Sequence, residues 1–238
     1  MKALRIILAV FLLPVCAAVT RTACGELLCL DPSRAPAVPR AAWALAIGAL
    51  LWMVVNVSMP RPLRAYILAH ELSHALWGWL TGARVSDLRV SRSGGSVRLS
   101  ATNSLSVLGP YFSPLYTLVV IAAYPIASLF ADLQPYRLFW IAMIGFTWGF
   151  HLTFTIGSLT QRQSDVEMMG RFFSYTVIYL VNMAIVALGL ALVCRLSPAA
   201  ALGRFAGDMG IVWAWLMSQS VTAMRGLTTI IRGVAALH

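Results

Sequence analysis

The sequence predicts a mainly α-helical, polytopic membrane bundle of five to seven spans that carries a small membrane-associated β-hairpin. Three observations lead there. Of 238 residues, 60% are hydrophobic and 11% are charged, less than half the ~25% charge of an ordinary soluble domain. The mean hydropathy is +0.80, and the apolar residues come in runs long enough to cross a hydrocarbon core. One short stretch instead alternates apolar and polar residues. The runs leave no room for a sizeable soluble domain. The net charge of +10 is spread as Arg over short loops. That fits positive-inside topology and contact with anionic headgroups of the lipid bilayer. No basic stripe interleaved with aromatics is present, so nucleic acid is not an expected partner.

The segments follow in order. Residues 1–20 set Lys2 and Arg5 before a short apolar core; we read a retained span or anchor, with a cleaved signal peptide as the alternative. Residues 21–40, with Pro32, Pro36 and Pro39, read as a polar loop. Cys24 and Cys29 flank GELL there, and they form a small disulfide if the loop faces an oxidising compartment. Cys16 and Cys194 lie in apolar runs as packing thiols. Residues 41–59 make a span, and PRPLR at 60–64 breaks the helix. The segment 65–82 is helical and ends in Trp77 and Trp79, as at a membrane interface.

The period then changes. In 85–100, Leu88 and Val90 alternate with Arg89 and Ser91, and Val97 and Leu99 with Arg98 and Ser100, around Ser93-Gly94-Gly95. This is a β-hairpin pattern. Residues 105–130 contain Gly109-Pro110, Pro114 and Pro125 and read as a kinked helix. Residues 136–160 form another span, 161–171 a polar linker, and 172–194 the last clear span. The tail carries a narrow polar stripe of Ser218, Thr222, Arg225, Thr229 and Arg232. It reads as an amphipathic or short membrane helix. Three regions result: 1–60, N-terminal spans and an extramembrane loop; 61–195, a membrane core; and 196–238, the C-terminal helix.

Residues 69–80, AHELSHALWGWL, pose the chemical question. The chain holds four His, and two of them sit with a Glu inside this apolar helix. His70 and His74 are four apart, so they stack on one helix face. Two imidazoles so placed bind one zinc ion, and Glu71 beside them suits a general base acting on water. Ionisable groups at membrane depth are costly unless a metal or partner satisfies them. The competing interpretation is a pair of core histidines with Glu71 as counter-ion, which does not require the spacing. A third ligand must come from elsewhere, and the residues alone leave Asp132, His151, Asp165, Glu167 and Asp208. Asp132 and Asp208 read as solvated loop residues. Asp165, at a helix start, suits an N-cap as well as a ligand. His151 suits ligation, orientation of a ligand, or an oxyanion contact.

With those motifs in view, residues 65–185 resemble the site-2 protease family of intramembrane zinc metallopeptidases, in its small bacterial branch without PDZ domains. HELSH lies in a membrane helix, the 85–100 hairpin resembles the family's β-hairpin, and GPYFSP at 109–114 resembles its GPxxN element. QRQSD at 161–165 occupies the place of its Asp-containing motif. Here Ser73 stands where Gly is usual before the second His, Ser113 where Asn is common, and Asp165 lacks the usual neighbours. The resemblance implies Zn²⁺ as cofactor, with His70, His74 and Asp165 as ligands and Glu71 as general base. His151, Gln163 and Ser113 are then candidates for oxyanion or substrate contacts.

The expected activity is hydrolysis of peptide bonds in or near transmembrane segments of membrane proteins. The expected setting is multi-pass, in the bacterial inner membrane. A polar cavity is expected around Ser73, Ser113 and Ser164. Two alternatives stand beside this: a non-proteolytic zinc-binding scaffold or chaperone of the same fold, and a metal or solute carrier. Lys2 and Arg5 favour a cytoplasmic N-terminus, which places Arg84, Arg89, Arg92 and Arg98 outside, against the charge bias. A re-entrant hairpin, or loss of residues 1–20, removes the conflict.

Overall fold

The computed structural model describes residues 2–27, 39–91, 94–194 and 196–235. In chain order, the elements are α1 (Lys2–Leu27), α2 (Arg40–Ser58), α3 (Leu63–Leu80), β1 (Val85–Val90), β2 (Gly95–Leu99), α4 (Ser104–Phe112), α5 (Leu115–Ser128), α6 (Arg137–Leu159), α7 (Ser164–Met169), α8 (Arg171–Val193) and α9 (Pro198–Ala235). Among the described residues, four helices are long and apolar enough to cross a membrane: α1, α2, α6 with its preceding turn, and α8. The α4–α5 pair is a fifth if counted as one span. The fold is thus a helical membrane bundle with one two-stranded antiparallel sheet. Helix α3 is not among these spans, because HELSH places ionisable groups in its middle.

Two expectations are corrected. Residues 21–27, predicted as the start of a polar loop, are helical, since α1 runs on to Leu27. Its last turns pack against the rest of the bundle, with Thr22, Ala23 and Glu26 buried. Asp208 is not a solvated loop residue; it lies in α9, where it accepts from Thr22 Oγ1 at 2.9 Å and pairs with Arg21 at 3.2 Å. Those partners, distant in sequence, are what extend α1. Cys24 is exposed, while Cys29 lies outside the described residues, and so does the proposed bridge.

The proline-rich run resolves into two helices bent by 79°. The break falls at Ser113-Pro114, where Ser113 is extended (φ −98, ψ 103), as expected for a residue preceding proline. Asn103 caps α4, accepting from the backbone N–H of Leu105 and Ser106 at 2.9 Å each. The hairpin pairs Val85 with Leu99 and Val90 with Gly95, with a register shift between Ser86 and Arg89. It folds back along α3. Leu99 packs on Gly78, whereas Gly95 lies against Ile67 and Glu71. The strands therefore return to the middle of α3, about 10 Å from Gly78 at 1.5 Å per residue.

Helices α2 and α6 meet backbone to backbone. A Cβ on Gly48 would fall on the carbonyl of Ala142, and one on Gly145 on the carbonyl of Leu45. Without a hydrophobic drive inside lipid, such small-residue contacts supply the packing. Trp52 then fills the interface, 2% exposed, against Phe146, Phe150 and Phe154. We expect Gly48→Ala and Gly145→Ala each to cost about 1–3 kcal/mol by overpacking, read as a lower unfolding midpoint in detergent micelles. An unchanged midpoint in both would contradict this packing.

Candidate metal centre and catalytic site

The site begins with α3, whose four-residue spacing sets His70 and His74 on one helix face turned into the bundle, with Glu71 beside them. His70 Nε2 and His74 Nε2 lie 3.2 Å apart. Asp165 Oδ2 approaches the first at 3.5 Å and the second at 3.4 Å. The three residues form the one group of metal-ligating side chains identified among the described residues. Asp165 does not cap α7. Gln163 holds the cap position, and Asp165 sits one residue inside the first turn with its carboxylate turned to the histidines.

The outer nitrogens decide what the inner ones present. His74 Nδ1 lies 2.7 Å from the carbonyl of Ser106. A carbonyl only accepts, so Nδ1 must carry the proton, and the Nε2 of the neutral ring is a bare lone pair. Ser106 has its carbonyl to spare for a reason written in the sequence. The residue four further on is Pro110, which has no N–H to give it. His70 Nδ1 faces the hydroxyl of Tyr66 at 3.4 Å. Potential ligand atoms from three residues thus converge, and a cation placed between them would be shared by all three.

Short helix α7 is held from several sides. Val166 and Met169 are buried in the cluster with Leu108, Tyr111 and Phe112. Ser174 Oγ donates to the carbonyl of Val166 at 3.1 Å. Arg5 of α1 donates to the carbonyls of Met168 and Met169 at 3.0 and 3.2 Å, closing the C-terminal end. The turn into α8 is made by Gly170 at φ 92, a conformation that suits glycine. Glu167 pairs with Arg171 at 2.6 Å and Arg162 at 3.0 Å, and these guanidiniums hold its carboxyl below the usual carboxylate range. Glu167 is therefore a surface tether, away from the cluster.

Glu71 is 8% exposed. It lines a cavity of about 390 Å³ with His70, Tyr66, Arg61, Ser158 and Gln163. Gly95 of the hairpin lies directly over it, so close that a Cβ there would meet the Glu71 side chain. The expected polar cavity exists, but on another side from the one expected. Ser73 is 1% exposed and spends its hydroxyl on the carbonyl of Ala69. Ser113 accepts from Trp77 Nε1. His151 is buried in α6 and shares with His70, Ser73 and Ser113 a separate void of about 10 Å³, about the size of one water. Of the oxyanion candidates, only Gln163 reaches the Glu71 cavity, and its Nε2 also donates to the carbonyl of Ser158 at 3.1 Å.

Residues 41–129 match the family model described as Peptidase M50B-like. Over that stretch, which is less than half of the chain, the sequence is similar to M50B-like peptidases. The matched segment runs from α2 through α5 and contains His70, Glu71 and His74; Asp165 lies beyond it and joins the site only through the fold. No curated protein and no solved structure matches the chain. The apolar helices mark an integral, multi-pass membrane protein.

The geometry predicts metal content directly. His70→Ala and Asp165→Ala should bind divalent metal weakly enough to purify with well under one equivalent per chain, whereas His151→Ala should retain about one. Elemental analysis of the three variants beside the wild type reads the difference, and metal loss only in the His151 variant would reverse the assignment.

Proposed function

We propose that this chain is an intramembrane zinc metalloprotease of the bacterial inner membrane, hydrolysing peptide bonds in or near transmembrane segments of its substrates. One observation carries the proposal: His70, His74 and Asp165 converge beside a buried Glu71 that opens on a polar cavity. The donor set suits the ion. A tetrahedral zinc about 2.0–2.1 Å from each ligand asks for ligand atoms roughly 3.3–3.4 Å apart, and the three edges here are 3.2, 3.4 and 3.5 Å. Zinc held by these residues supplies a Lewis acid that activates water near neutral pH and polarises a carbonyl.

The rest falls to the protein. Glu71 accepts the proton of the attacking water and returns it to the departing amide nitrogen. Gln163, with one amide hydrogen engaged by Ser158, has a second to offer a developing oxyanion. Beside Glu71, β2 runs as one strand of a two-stranded sheet. An extended substrate segment adds to its other edge, satisfying backbone groups that lipid leaves bare. Burial of Glu71 between α3 and the hairpin limits bulk water, so a substrate must unwind locally to present one carbonyl there.

Glu71→Gln should keep about one zinc per chain while cleavage of a transmembrane peptide panel in proteoliposomes falls at least ~10²-fold. Cleavage by this variant at the wild-type rate would refute the assignment. Zinc flux across the same vesicles, without hydrolysis by the wild type, would favour a carrier instead.

A further inference from the structure

The zinc reading leaves the buried Tyr111 without a task. Tyr111, in α4, is 0% exposed, yet its hydroxyl points at the metal cluster. It donates to Asp165 Oδ2 at 3.0 Å, and Gln163 Oε1 stands at 3.4 Å as a second acceptor. The hydroxyl has one proton for two acceptors. The nearer and charged oxygen takes it, because charge-assisted hydrogen bonds are the stronger kind. That oxygen is also the one that faces both histidines.

We propose that Tyr111 is a positioning residue of the metal centre, orienting the Asp165 carboxylate so that Oδ2 keeps a lone pair aimed between His70 and His74. This rests on the zinc reading given above. The need for such a residue follows from α7. It has six residues and no side-chain cap, too short to hold itself in shape. Packing fixes its Val166 and Met169 faces, but it leaves the carboxylate free to rotate about its side-chain bonds. Tyr111 removes that freedom.

Tyr111 is itself well anchored. Its backbone carbonyl accepts from Asn182 Nδ2 of α8 at 2.8 Å. Its ring stands edge-on to that of His70, centroids 5.4 Å apart at 89°. It sits in one packed cluster with Leu108, Val166 and Ile178. One aromatic side chain therefore touches a ligand from α3 and another from α7, and α4 sets both. The same helix supplies the Ser106 carbonyl to His74, so it governs the outer contacts of two ligands.

The test is a double-mutant cycle on the purified full chain, with zinc affinity measured by chelator competition. Tyr111→Phe keeps the ring and its packing on His70 and removes only the hydroxyl. We expect a 10–100-fold loss of zinc affinity, the usual cost of removing an outer hydrogen bond to a ligand, and an altered visible spectrum of the cobalt-substituted protein. In an Asp165→Ala background the same change should alter the residual affinity less than twofold, because the hydroxyl then has no ligand to orient. Wild-type affinity in Tyr111→Phe, or an equal loss in both backgrounds, overturns the proposal and leaves the metalloprotease reading standing. A wild type that binds no zinc overturns both.

Discussion

Electron-pair donors from three residues are forced together inside an apolar bundle, and that convergence organises the molecule. Two imidazole nitrogens and a carboxylate oxygen lie within 3.5 Å of one another. Such a group is unfavourable in low dielectric unless a cation sits among it. Every neighbouring feature works to keep it in place. Pro110 leaves the Ser106 carbonyl open for His74. Arg5 and Ser174 hold α7. Tyr111 reaches the carboxylate from a third side. The ligands come from α3 and α7, separated by some ninety residues, so the site exists only once the bundle has closed.

Closure in turn depends on contacts that lipid permits. Glycines let α2 and α6 approach at backbone distance, and aromatic rings around Trp52 lock the pair. Tyr66 links this layer to the site, stacking on Phe154 with centroids 4.7 Å apart while its hydroxyl faces His70. The hairpin performs the complementary task on the outside, with Gly95 laid over Glu71. Contact with α3 is made through β2, at Gly95 and Leu99, while β1 is exposed along its whole length.

Much of this was legible in the sequence because it is local. HELSH states its own geometry through a four-residue spacing, the hairpin announces itself by a change of period, and Ser113-Pro114 marks the bend between α4 and α5. Asp165 emerged only as one acid among several until the family resemblance singled it out, since its partners lie on another helix. Other features were not legible for the same reason. Arg21 and Thr22 look like loop residues until Asp208 of α9 meets them. Tyr111 reads as one more apolar residue of GPYFSP, and nothing near it in sequence hints at a carboxylate fifty-four positions away. His151, a reasonable ligand by type, is turned into a separate small void. Ser73 and Ser113 were expected to line the water-filled side, but a backbone carbonyl and Trp77 use their hydroxyls.

X-ray absorption at the zinc edge on the detergent-purified wild type tests the central claim most directly. The account predicts a first shell of nitrogen and oxygen at about 2.0–2.1 Å, with outer-shell scattering from two imidazoles. A shell containing sulfur, or one with fewer than two imidazoles, would contradict it.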